Sequence, residues 1–425
     1  MLLSHNLSLK GGFMNLFQAS VATVFVANMV LSPSVGVFPR PSPVRSFKPI
    51  PEFLGKSLSW LAKAQFENGG WGSGTHAHQE IRDPKAVQID PATTAFSAMA
   101  LLRSGSTLQE GPYAKNVSRA LNYLLDLVDS SPDKGSNITS LTGTQIQTKL
   151  GQNIDVSMTA QFFTRILPHT SDNASLNKRV KSALEKCLRK IERGQTVDGS
   201  WSGAGWAGVL QSSMANSALE AADASGIKVD EKVLEKSREY QKGNVDMKTG
   251  EVKTEGAAGV SLYAITSNQR ATAQEARDAE QSVDDAKSKG LLRIDAPVTK
   301  ESLMGAGHSE KDARRLADAY KQNKQAQRML EDENVMSGFG NNGGEEFLSY
   351  MMTAESMVIT RDKEYDGWYK KMSRRFDKIQ DGNSSWSGHH CITSPVFCSA
   401  AVILTLTADR DAQMLVKEKQ AKRNP

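Results

Sequence analysis

Apolar residues recur from about residue 52 to 408 at intervals of three and four, the period of a helix with one buried face. Over residues 113–129, Val117, Ala120, Leu121, Leu124 and Val128 form one stripe, while Lys115, Arg119 and Asn122 fall elsewhere. The same pattern predicts amphipathic helices over 53–66, 176–193, 229–242, 309–333 and 363–380. Between them lie segments that are apolar nearly all round: 92–102, 156–167, 207–222, 257–265, 345–358 and 392–406. A helix enclosed by others has this character. Alternation of the two kinds, without strand-like alternation of single residues, predicts an all-α (α/α)6 barrel, six inner helices within six outer ones, over residues 52–408.

Four regions fall outside that count. Residues 268–308 carry Arg270, Glu275, Arg277, Asp278, Glu280, Asp284 and Asp285, and are expected as a polar surface insertion, a solvated helix and loop or a lid. At the N-terminus, Lys10 precedes an uncharged apolar run from Ala19 to Leu31, shorter than a bilayer requires. With small residues near Ser32 to Gly36, it predicts an export signal over 1–36, a periplasmic or extracellular location and no membrane span in the mature chain. A buried helix or a retained anchor is the alternative. Proline spacing makes 37–51 an extended tether, and 409–425 reads as a charged tail.

Within the helical pattern one motif repeats. Lys56, Leu61, Gln65 and Trp71 match Lys186, Ile191, Gln195 and Trp201, and again Lys371, Phe376, Gln380 and Trp386. Turn-forming residues separate each Gln from its Trp, so the helix ends there. The Trp can then pack back on its own helix while the Gln amide satisfies backbone groups left open at the helix end. This pattern resembles the QW repeat of the squalene-hopene cyclase and protein prenyltransferase superfamily, with Ser57, Lys190, Arg375 and Ser384 standing where the family has glycine or an aromatic residue. The resemblance implies a barrel of paired helices and a terpene cyclase-like or prenyltransferase-like protein acting on or binding an isoprenoid or other lipid.

The family's reactive motifs are not carried with it. Against an Asp-x-Asp-Asp-Thr-Ala acid motif, Asp90 is followed by Ala92 and Thr93, and Asp155 by Ser157 and Met158; Asp284 and Asp285 lie in the polar stretch. No Asp-x-Cys is present to carry over the prenyltransferase zinc site. Asp90 and Asp155 are expected as helix caps, with a catalytic role as the alternative.

The remaining candidates gather where inner helices begin. His389, His390 and Cys391 precede the last, and Glu345 and Glu346 open the one before it. One reading is a metal site, zinc among the options, built from His390, Cys391, His389 and Glu345. Another is that His389 and His390 cap the helix and contact solvent, Cys391 fills a core gap and the two glutamates complement the helix dipole. His76 and His78 lie in a polar loop expected to be mobile. Clustered helix N-termini would also favour an anion such as a diphosphate or carboxylate. Below them, Phe96, Met99, Phe162, Phe163, Met214, Tyr263, Tyr350, Met351, Met352 and Phe397 could line an apolar cavity.

The formal net charge of +5, without a dense basic stripe, excludes nucleic acid as the expected partner. Three cysteines cannot form a disulfide framework. Two other classes stay open: a non-catalytic secreted binding scaffold, and a carbohydrate-active enzyme using Glu345 or Glu346 with Asp90 or Asp155.

Overall fold

The computed structural model describes residues 47–246, 249–340 and 342–416. The apolar run at 19–31, most of the Pro-rich stretch and the end of the chain lie outside the described residues. Outer and inner helices alternate along the chain: α1 (Glu52–Lys63) then α2 (Pro91–Arg103); α3 (Ala114–Ser130) then, after the short α4 (Gln145–Lys149), α5 (Ile154–Ile166). Next come α6 (Ala174–Gly194) and α7 (Gly208–Ala224), and α8 (Glu231–Lys242) and α9 (Ser261–Ser288). After the short α10 (Lys300–Gly305), the outer α11 (Glu310–Met329) and short α12 (Glu333–Met336) lead to the inner α13 (Gly344–Ile359). The outer α14 (Tyr365–Lys378), inner α15 (Pro395–Leu406) and short α16 (Ala412–Leu415) complete the fold.

The inner helices close a ring: α2 packs on α5, α5 on α7, α7 on α9, α9 on α13, α13 on α15, and α15 on α2. Among the described residues there is no β-strand, only isolated bridges. The chain is therefore the (α/α)6 barrel that its hydrophobic pattern predicts. Outer helices bury one stripe each, as Val180, Leu184, Cys187, Leu188 and Ile191 do on α6. No helix of the described residues is long and apolar enough to cross a membrane.

The repeated Gln and Trp fasten neighbouring outer helices. Indole Nε1 of Trp71, Trp201 and Trp386 donates to the carbonyls of Leu61, Ile191 and Phe376, at 2.8, 2.8 and 2.9 Å. Each Gln amide reaches the next outer helix: Gln65 to the Asn116 carbonyl on α3, Gln195 to Val233 on α8, and Gln380 to Phe53 on α1. The turn between them needs a left-handed residue, with φ of +94° at Gly69, +90° at Gly199 and +70° at Ser384. A Cβ on Gly69 would overlap the Arg119 carbonyl of α3.

Two stretches differ from expectation. The polar insertion begins inside α9, which continues unbroken to Ser288; Arg270, Glu275 and Arg277 are buried, and further along Val283 joins Leu303, Ala313 and Leu316 in a small second core. Ionic partners, described below, make the burial of Arg270 and Glu275 possible, and Arg277 donates to the Ile359 carbonyl at 3.1 Å. The tail begins later than 409, because Asp411 and Leu415 are buried.

Candidate functional site

A network of buried charge closes one end of the ring. Glu355 on α13 meets Arg103 of α2 at 2.7 Å, Arg270 of α9 at 3.2 Å and Arg165 of the opposite helix α5 at 4.0 Å. Asp411 bridges Arg103 and Arg165 at 2.6 and 2.7 Å, and Glu220 on α7 meets Arg270 at 2.7 Å. Burial alone would raise the Glu355 pKa, but the three guanidinium groups hold it down to about 2. This end is a floor.

At the other end, inner helices begin and bring the candidate residues together. Glu345 is fully buried; its Oε2 accepts the Ile392 N–H at 3.2 Å and its Oε1 has no hydrogen-bond partner among the described residues. Burial first, and the charge of Glu346 second, push its pKa up to about 7. Beside it, Gln145 accepts the Thr393 N–H through Oε1 at 2.8 Å while its Nε2 is likewise unpartnered.

Glu346 behaves oppositely although it is the next residue. Against the cost of burial, its pKa is lowered by His390, the Tyr263 hydroxyl at 2.6 Å and the Phe339 N–H at 2.8 Å. His390 lies 3.6 Å from Glu346, an ion pair rather than a hydrogen bond, and is raised by it. The glycines nearby have a steric purpose: a Cβ on Gly338 or Gly343 would collide with Glu346, and one on Gly340 would press on His390.

A lip of exposed aromatic residues borders this pair. Phe339, 57% exposed, packs 5.0 Å from the His390 ring and 5.7 Å from Trp206, itself 42% exposed. Lys149 Nζ sits 4.6 Å over the Trp206 ring. Motif reasoning missed Trp206, Phe339, Lys149 and Gln145, since single residues in loops carry no periodic signal; the glycine-rich run at 338–344 was the available clue.

The lumen face follows from a contact across the ring, Ser213 Oγ of α7 to Met352 Sδ of α13 at 3.1 Å. Glu345, Ser349, Met352 and Glu355 then share one stripe, and Tyr263, Ser267 and Arg270 another. Ser349, Ser267, Ser217 and Asn216 have buried polar atoms without protein partners. All ten apolar residues expected to line a cavity are buried, yet Tyr350 packs on Phe376 of the outer α14 instead of facing the centre. Between the two ends the interior of the ring is accordingly part polar, and apolar residues alone do not fill it.

Asp90 and Asp155 serve one helix end. Asp90 caps α2, accepting from Thr93 N–H at 2.7 Å and from Ser73 N–H and hydroxyl at 2.9 Å. Asp155 does not cap its own helix; it accepts from Ala92 N–H of α2 at 3.2 Å and from Gln147 at 2.7 Å. Burial, then the charge of Asp90, raises Asp155 to about 7.

The expected metal ligands do not assemble. Among the described residues no three His, Cys, Asp or Glu side chains form a metal-holding group. His389 is exposed, and burial with the neighbouring Glu345 pushes the Cys391 thiol up to about 12, so it keeps its proton. His390 is committed to Glu346, so the donor set does not fit zinc. Cys391 sits in a turn at φ +58° ahead of α15, not on the helix with Cys398. The loop of His76 and His78 is tied across the rim, Gln79 Nε2 donating to the Cys391 carbonyl at 2.7 Å and Arg82 to that of Thr393.

No family model matches this chain, and no curated protein matches it. Among solved structures it is similar to a variant of the type II terpene cyclase MstE from Scytonema in complex with its product, merosterolic acid A. The identity is 13% and the TM-score 0.32, over 85% of this chain and 96% of that one.

Proposed function

We propose that the barrel binds a lipid-class molecule, isoprenoid or other, by an oxygen-bearing head, and that Glu345 serves that head as hydrogen-bond donor and general acid. The observation that carries this reading is the unpartnered Oε1 of Glu345, fully buried at the top of a lumen stripe whose Ser349 hydroxyl is also free. A carboxyl with a pKa of about 7 keeps a proton at neutral pH that it can share in a hydrogen bond with a carbonyl, ester or hydroxyl oxygen and give to that oxygen as it leaves. It is too weak an acid to protonate an alkene, so the proposal departs from cyclisation chemistry. Trp206 and Phe339 supply an apolar lip for the chain of the ligand, and Glu346 with His390 holds the wall beside the head. Asp90, Asp155 and Glu346 engage both their oxygens with protein groups, which leaves Glu345 without the second free carboxylate of glycoside hydrolysis. Export belongs to the same proposal and is supported by the apolar run from Ala19 to Leu31; N-terminal sequencing of the protein recovered outside the cytoplasm tests it.

Calorimetry and product analysis with farnesol, farnesyl acetate and a hydrocarbon of equal length test the function. Binding of the oxygenated chains and not of the hydrocarbon is expected. Glu345→Gln, which keeps the shape and loses the transferable proton, should reduce hydrolysis of the ester, in which water adds to the carbonyl, the departing alcohol takes the Glu345 proton and the added water restores it, roughly a hundredfold or more with a smaller change in affinity. Failure of every oxygenated chain to bind, or full turnover in the variant, overturns the proposal.

A further inference from the structure

Away from the mouth, a cavity of about 240 Å3 opens between α9, α11, α13 and α14. Its inner end holds Gln269, 1% exposed, whose side chain makes no hydrogen bond and whose Oε1 is buried without a partner. Leu330, Met357 and Trp368 form the walls, and the indole Nε1 of Trp368 is also buried and unpartnered. At the opening stand two exposed carboxylates, Glu331 and Glu364, with no ion pair among the described residues. The one cation there, Lys371, is paired with Glu333 outside the cavity lining.

This combination has a chemical complement. An unpaired acceptor at the inner end and an unpaired donor on the wall are costly unless a ligand group meets them. A hydroxyl can do both, donating to the Gln269 oxygen and accepting from the Trp368 N–H. The apolar walls suit a small hydrocarbon body, and two free carboxylates beside an indole favour a cationic end. We infer that this cavity is a second binding site, separate from the barrel mouth, for a small organic cation carrying a hydroxyl at its far end.

Calorimetric titration of the full chain with tyramine tests the inference. Phenethylamine, which lacks the hydroxyl, and the phenolic propionate, which replaces the amine by a carboxylate, serve as controls. Saturable tyramine binding is expected, with both controls at least tenfold weaker. Gln269→Leu should weaken tyramine at least tenfold and leave phenethylamine unchanged. The double variant Glu331→Gln with Glu364→Gln, at exposed positions that do not threaten folding, should weaken both amines alike. No saturable tyramine binding, equal binding of the propionate, or tyramine affinity untouched in the double variant overturns the inference.

Discussion

Glu345 and Glu346 are adjacent in sequence and opposite in chemistry, because one meets few donors and the other meets an imidazole, a phenol and two backbone amides. The raised pKa of Glu345 has a thermodynamic signature. Between about pH 4.5 and 7 the folded chain keeps a proton that the unfolded chain releases, so stability should fall as pH rises through that window, with Asp155 adding to the slope. Thermal midpoints at pH 5 and pH 8 measure it, and Glu345→Gln should flatten the difference. At Ser384 the left-handed backbone opposes a side chain, so Ser384→Gly should stabilise by about 0.5–1 kcal/mol in denaturant unfolding. The glutamates and His390 were legible as candidates because they open inner helices. Their division into a protonated and a charged carboxyl was not, since it depends on partners such as Tyr263, 83 positions away.

At the scale of helices, period alone placed nearly every barrel element, and the repeated Gln and Trp marked where three outer helices stop. What the repeat holds together was not written in it: Gln65 grips the carbonyl of Asn116 and receives Asn116 and Arg119 in return. Gln65→Leu should therefore cost about 1–2 kcal/mol, because the Gly69 carbonyl of the turn and the half-buried Asn116 of α3 lose their bonds; unfolding midpoints in urea give the value. Helix α9 shows the limit of pattern reading. Its charged residues look like a surface segment, and only the partners contributed by α7, α8 and α13 turn Arg270 and Glu275 into core.

For the whole molecule, the charged floor joins α2, α5, α7, α9 and α13 with the segment after α15. Removing the shared carboxylate by Glu355→Ala leaves three buried guanidinium groups with only Asp411 and Glu220 to balance them, and should cost about 3–5 kcal/mol. Acid should act in the same direction, since the lowered pKa of Glu355 means that its contribution is lost as pH falls below the ordinary carboxylate range toward 2. Such a floor was unreadable from sequence because its members are hundreds of residues apart and each looks like surface.

A bonded floor closes the ring at the end where the inner helices stop. On the proposed reading a ligand at Glu345 therefore enters and leaves past Trp206 and Phe339, so substrate and product contend for one passage. Crowding the gap would slow arrival and departure together while leaving the affinity at depth nearly intact.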